Sequence, residues 1–213
     1  RKLLNSILEK TGVKEKKQQV LREIDKLDKL DEKEVKINLK KIISDKEIKK
    51  ILEFLGKDLD YFLKEKFAGA EEIKELQDLG KVYGFKISFS PTLLRGFSYY
   101  TGNVWEIWSK EKKASLAGGG RFDDKVGKYS GKQIPAVGIS FGTLIDLDMD
   151  ISKDKTEFLI VSLGQDKESI KLTQKLRSDG KSVIIYYGKP SKALEYANAY
   201  YIQNVIFIGE KEI

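Results

Sequence analysis

Apolar residues recur every three or four positions from Leu3 to about Leu79, and from Lys81 onward the interval drops to two. The first spacing predicts a run of helices, because residues three and four apart share one helix face. Leu3, Leu4, Ile7 and Leu8 form one stripe, closed at Thr11-Gly12. Val20, Leu21, Ile24, Leu27 and Leu30 predict a second helix, and Val35, Leu39, Ile42 and Ile43 a third. A fourth carries Ile48, Ile51, Leu52 and Leu55, with Ser44 or Asp45 placed to cap it. Ala70 to Leu79 reads as a last helix, stopped at Gly80. The outward faces are Lys, Glu and Asp, which suits either a solvated surface or a basic surface facing RNA phosphates.

The second spacing predicts strands. Val82 to Phe89 alternates until Pro91 breaks it. Val104 to Trp108 alternates with Trp105 and Ile107 on one side and Val104, Glu106 and Trp108 on the other. Ala114 to Ala117 runs into Gly118-Gly119-Gly120, which reads as a glycine-rich turn. Pro135 to Gly142 is a further strand meeting a helix. No full helix separates these strands, so an antiparallel sheet is expected.

After Asp150 the pattern becomes β-α-β-α-β. Strands are expected at Thr156 to Leu163, Ser182 to Tyr187 and Val205 to Ile208. The helices between them are Asp166 to Ser178, with Ile170, Leu172 and Leu176 inward, and Ser191 to Tyr200. That order implies a small parallel-sheet α/β unit by the right-handed crossover rule. Its third strand reads as central and lies close to Ile213, so further residues are expected beyond it. The fold class as a whole is α+β.

Composition narrows the chemistry. Cysteine and histidine are both absent. Disulfides, thiolate metal sites, histidine bases and the common zinc sites are thereby excluded for these residues. Chemistry must come from carboxylates, Arg, Lys, Tyr, hydroxyls and backbone groups. No run approaches bilayer length, and no signal-peptide pattern opens the chain. Net charge is +7 at pH 7, which permits a nucleic-acid partner without requiring one. The Lys and Glu load, with one Met, also fits a hot-adapted organism. Only five basic residues are arginine, and two of them, Arg95 and Arg121, sit in glycine-flanked motifs. There the planar guanidinium fork suits carboxylate or phosphate.

Arg95, beside Gly96, fits equally a ligand-gripping residue and a surface arginine paired to Glu106 or Asp123. Tyr99 and Tyr100, if on a strand, point to opposite faces, so that one lines a pocket and the other packs. Gly118-Gly119-Gly120-Arg121 suits a backbone lying flat against a ligand or a flexible hairpin. It is neither a Walker loop nor a dinucleotide fingerprint. Gly138 and Gly142 bracket a place where a nucleotide has room to approach the backbone.

The order of these segments is more specific than any of them. Arg95-Gly96, then Tyr99-Tyr100-Thr101-Gly102, then Gly118 to Asp123, then Pro135 to Gly142 resembles the second half of a histidyl-tRNA synthetase catalytic domain. The Asp25-Lys26-Leu27-Asp28-Lys29-Leu30 run is similar to one in that family's insertion region. Thr156 to Ile213 resembles its anticodon-binding domain, and the Ser98 and Gly102-Asn103 variants look archaeal. The resemblance covers nearly the whole chain. It implies a helical insertion region over 1–80 and the C-terminal part of a class II antiparallel catalytic core over 81–150. It further implies a three-layer α/β anticodon-binding-like domain over 155–213.

The resemblance also implies an activity. Histidine and ATP, with Mg2+ as counter-ion, form an adenylate, and the acyl group then passes to tRNA(His). Arg95 would contact the histidine carboxylate and the α-phosphate. Tyr99 and Tyr100, with Gly119, Gly120 and Arg121, would shape the histidine site, while Gly138 and Gly142 would back the adenosine. The protein would be a cytoplasmic homodimer with no membrane partner. The family's third class-defining motif carries an arginine just after its second glycine, whereas Thr143 to Leu147 contains none. Its first two motifs would precede Arg1. The 213 residues alone are therefore expected not to aminoacylate tRNA. Lys189, Lys192 and the Gly164-Gln165 loop are candidate phosphate contacts in the last domain. The rival readings are a catalytically inactive paralogue, such as a histidine-biosynthesis regulatory subunit, and a general RNA-binding module.

Overall fold

The computed structural model describes residues 1–27, 30–95, 99–111, 114–129, 131–132, 134–142 and 155–210. They divide into two compact units. The first holds residues 1–75 and the segment from Ser88 through the first sheet; the second holds Leu76–Ile87 with the C-terminal α/β segment.

Six helices open the chain: α1 (Lys2–Thr11), α2 (Lys17–Ile24), α3 (Glu32–Lys40), α4 (Asp45–Leu55), α5 (Leu59–Lys64) and α6 (Ala70–Val82). In α1 the stripe Leu3, Leu4, Ile7, Leu8 is buried. The helix ends where Gly12 turns left-handed at φ 97°, its N–H bonding the Glu9 carbonyl. Helix α4 starts with a capping box. The Glu47 N–H donates to the Ser44 hydroxyl, and the Ser44 N–H donates to the Glu47 carboxylate at 2.8 Å. The Ser44 hydroxyl also donates to the Glu47 carboxylate at 2.6 Å, and this bond foremost, with that from the Ser44 N–H, holds the Glu47 carboxyl below the usual range.

The second and third helices are shorter than their stripes predict. Leu27 lies in the turn after α2, and Ile42 and Ile43 follow α3, yet all three pack on the same core. Helix α5 has no counterpart in the periodicity. Asp58 caps it by accepting from the Tyr61 N–H, and it buries Phe62 completely. Phe67 and Phe89 meet the Phe62 ring edge-on at 5.1 and 5.9 Å.

Helix α6 continues through Gly80 to Val82, and no strand forms over Val82 to Phe89, contrary to the alternation there. The chain instead folds back onto the helix end. The Phe85 N–H bonds the Gly80 carbonyl at 3.0 Å, and Gln77 Nε2 bonds the Ile87 carbonyl at 3.0 Å. The alternating residues are thus satisfied by the helix rather than by a neighbouring strand.

The first sheet is antiparallel, ordered β1 (Val104–Ser109), β2 (Ala114–Arg121), β3 (Val137–Phe141). The glycine triplet is not a turn but the interior of the central strand. Between β2 and β3 lie the short helix α7 (Asp123–Val126) and a 3-10 turn, Gly127–Tyr129. The helix expected after Gly142 falls outside the described residues.

The second sheet is parallel, ordered β5 (Val183–Tyr187), β4 (Phe158–Ser162), β6 (Asn204–Ile208). Strand β4 is therefore central, and β6 flanks it rather than occupying the middle. Helix α8 (Asp166–Ser178) packs on β4 and β5, and α9 (Pro190–Ala199) on β4 and β6. Leu159 and Val161 pack against Ala193, Ala197 and Ile202, and strand alternation turns the equally buried Ile160 to the other face. The buried side of α8 is Ser169, Ile170 and Thr173, with Leu172 and Leu176 at its half-buried margin. Among the described residues no helix is long and apolar enough to cross a membrane.

Candidate functional site

Sheet register decides which residues meet. Gly118 pairs with Glu106 on one side and Ser140 on the other, and Gly120 pairs with Val104 and Gly138. Directly paired residues share a face. Glu106, Gly118, Gly120, Gly138 and Ser140 therefore form one face of the sheet. Trp105, Gly119, Arg121 and Ile139 belong to the opposite face.

Arg95 lies across the first of these faces. Its Nη1 donates to Glu106 Oε1 at 3.2 Å, and a Cβ on Gly118 would overlap that same nitrogen. Both partners of the ion pair are largely enclosed, at 18% and 20% side-chain exposure. Glu106 is held in turn by Trp108, whose Nε1 donates to Glu106 Oε2 at 2.8 Å. A register shift between Ile107 and Trp108 marks a β-bulge at this point. Glu106 is one of the two partners the sequence offers for Arg95; the other, Asp123, pairs with Arg121 instead. The Gly96 neighbour of Arg95 falls outside the described residues.

Beside Arg95 three rings form an aromatic wall. Tyr99 and Tyr100 lie with centroids 4.6 Å apart, and Phe122 meets Tyr99 edge-on at 5.5 Å. The two tyrosines precede β1 in irregular backbone, so strand alternation does not apply and their rings sit together rather than on opposite faces. Tyr100 is buried against Gly120, where a Cβ would stand 2.6 Å from the ring. Phe122 covers Gly138 in the same way, 3.0 Å from a Cβ there. The hydrogen bond with the Tyr100 hydroxyl pushes the Tyr99 phenol above its ordinary pKa.

Arg121 is half-exposed and grips both oxygens of Asp123 at 2.8 and 2.9 Å. Asp123 also accepts from the Ala136 N–H, and its own N–H donates to the Thr101 hydroxyl. Partial desolvation works to raise the Asp123 carboxyl. The Arg121 hydrogen bond and charge, with Ala136 and Thr101, outweigh it and hold the carboxyl below its usual range. Gly142 lies beyond the end of β3, with its N–H on the Leu116 carbonyl at 2.7 Å.

The structure thus gathers Arg95, Tyr99, Tyr100, Gly120 and Gly138 on one side of the sheet. Gly119 and Arg121 belong to the other face, and Gly142 lies beyond its edge. Sequence reasoning missed Phe122 as the third ring and the bond from Trp108 to Glu106. The only signal for the latter is the spacing of two along a strand. In the second unit, Lys192 is bridged to Glu195 and Lys189 precedes the first turn of α9. Gly164 adopts φ +83° just before α8. Among the described residues no cluster of three His, Cys, Asp or Glu side chains gathers to hold a metal.

Residues 1–144 match the family model described as histidyl-tRNA synthetase. The chain belongs to the histidyl-tRNA synthetase family. A histidine–tRNA ligase of Nanoarchaeum equitans is 33% identical over 223 residues, covering 100% of this chain and 53% of that protein. One from Methanocaldococcus jannaschii is 34% identical over 99% of this chain and 54% of its own length. A bacterial relative, the histidine–tRNA ligase of Clostridium acetobutylicum, is 32% identical over all of this chain. The chain spans about half the length of the curated relatives it matches. A solved structure from Bacillus halodurans, described as an ATP phosphoribosyltransferase regulatory subunit/histidyl-tRNA synthetase, shares the fold. Its TM-score is 0.56 over 96% of this chain and 56% of that one, at 21% identity. This histidyl-tRNA synthetase family member therefore carries its glycine triplet in mid-strand, with Arg95 and Tyr100 set against it.

Proposed function

We propose that this chain supplies the histidine-holding half of a histidyl-tRNA synthetase. The reaction is the activation of histidine by ATP, with Mg2+ as the counter-ion of the nucleotide, and transfer of the acyl group to tRNA(His). The observation that carries this reading is Arg95, oriented by Glu106 over a strand with no side chain at Gly118 and flanked by the Tyr99, Tyr100 and Phe122 rings. A fixed guanidinium beside an aromatic wall suits a small zwitterion with a flat ring. Arg95 meets the histidine carboxylate and later the α-phosphate, where charge develops. Tyr99 and Tyr100 bound the imidazole. Gly120 borders the histidine site, while Gly119 and Arg121 belong to the other face of the sheet and do not line it; Gly138 and Gly142 border the adenosine.

In this reading residues 1–80 are the helical insertion region and 81–150 the C-terminal part of the class II core. Residues 155–213 are a three-layer α/β anticodon-binding domain. The working enzyme is a cytoplasmic homodimer. The 213 residues alone do not complete the reaction, because Thr143 to Leu147 offers no arginine for the ATP phosphates. That same lack favours a second reading, a catalytically inactive paralogue acting as a metabolic regulator. Binding of tRNA separates the two. A synthetase chain retains tRNA(His) in preference to other tRNAs, and a regulator retains none. Histidine-dependent ATP–pyrophosphate exchange by this chain would contradict the statement that it is inactive alone.

A further inference from the structure

We propose that Glu106, locked by Trp108, is the positioning residue that sets the Arg95 guanidinium for an anionic ligand. This inference rests on the histidine reading of the site. The geometry supports it in three ways. Glu106 divides its two oxygens, Oε1 accepting from Arg95 and Oε2 from Trp108. It stands directly across from Gly118, the residue whose missing side chain leaves room for Arg95. And Glu106 and Arg95 are mostly enclosed, so their charges are poorly screened and each restrains the other.

Arginine has a long flexible stem, and a guanidinium pinned at one nitrogen presents its remaining edge in a fixed plane. Trp108, which is 60% exposed, supplies the second bond that orients the Glu106 carboxylate. Its donor reaches the carboxylate because residues two apart on β1 share a face; the extra residue of the bulge, Leu116, lies on the facing strand β2. Removal of Glu106 leaves Arg95 partly enclosed without this partner, and it then turns toward water.

The charge of Glu106 alone has the opposite effect on a ligand. A carboxylate near Arg95 repels a second carboxylate, so neutralising it without moving Arg95 strengthens anion binding. Positioning and simple charge balance therefore predict changes of opposite sign.

The test compares the affinities of the full chain for histidine and histidinol, which lacks the carboxylate. Their ratio reads the Arg95 contact and not the imidazole pocket. Glutamine in place of Glu106 puts an NH2, which cannot accept, where one of the two oxygens stood, so the donor facing that position, Arg95 or Trp108, loses its bond. Glu106→Gln is expected to lower the histidine-to-histidinol preference by roughly tenfold or more, the scale of one charge-assisted hydrogen bond. Glu106→Gln combined with Trp108→Phe removes the competing donor and is expected to restore most of that preference. Thermal melts of both variants separate this behaviour from unfolding, since a merely destabilised site is not rescued by a second substitution. A preference that rises in Glu106→Gln, stays unchanged, or is not restored in the double variant overturns the positioning role. A wild-type chain that binds neither compound overturns the histidine reading, and this inference with it. A wild-type preference that Glu106→Gln leaves intact overturns the inference alone.

Discussion

Arg95 Nη1 occupies the volume that a side chain on Gly118 would fill. Arginine and glycine lie 23 positions apart in the sequence, and the site depends on their juxtaposition. Gly118→Ala therefore drives the guanidinium off the sheet and away from Glu106. We predict weaker histidine binding and a loss of roughly 1–3 kcal/mol of stability, the usual range for overpacking. Calorimetric titration together with chemical denaturation measures both. A Gly118→Ala chain that keeps wild-type affinity would show that Arg95 does not need this space.

The same relationship explains what the sequence left illegible. Three successive glycines signal a turn, and the reading of Gly118 to Gly120 followed that signal. In β2 their value is close approach by Arg95 and Tyr100, from segments that local pattern does not connect to them. A strand would put Tyr99 and Tyr100 on opposite faces, but the backbone there is irregular. Helix α5 was missed because six residues are too few to show a helical stripe. Where burial is one-sided and periodic, the sequence was readable: α1, α4, α8 and all three parallel strands fall where the pattern puts them, within about two residues at each end. The pairing of Arg95 with Glu106 is legible as one of two options, Glu106 and Asp123. The choice between them needed the sheet register.

Stability of the helical part rests on its aromatic centre. Phe62 is fully buried among Phe67, Phe89 and the ring of Tyr61. Phe62→Ala is predicted to cost about 3–5 kcal/mol, as expected for deleting a large core ring. Urea melts followed by circular dichroism read this directly. A cost below 1 kcal/mol would mean that the helices are not held by this cluster.

The α4 capping box has a smaller role. Ser44→Ala removes the hydroxyl that receives the Glu47 N–H and is predicted to cost about 1 kcal/mol. Glu47→Gln keeps an oxygen able to accept from the Ser44 N–H and should cost less. The order of the two melting temperatures checks the assignment, and the reverse order would argue against it.

Asp123 gives the site a pH dependence. Its folded pKa lies below the ordinary carboxylate value, so it binds a proton less readily when folded than when unfolded. Its contribution is therefore present above the unfolded pKa near 4 and is lost as pH falls through the lower folded value. Asp123→Asn removes that contribution. The variant should be less stable than wild type at neutral pH, with the gap closing as pH falls below the unfolded carboxylate range and through the lower folded value. A gap that stays constant over this range would place the effect of Asp123 in packing rather than in charge.

The central claim is that Arg95 holds the carboxylate of histidine, and titration calorimetry of histidine into the wild-type chain and into Arg95→Met tests it most directly. Methionine keeps much of the stem and removes the charge. The account predicts measurable binding by wild type and a loss of roughly 10- to 100-fold in the variant, the worth of a charge-assisted hydrogen bond. Equal affinity in the two proteins, or no binding by the wild-type chain, would contradict it.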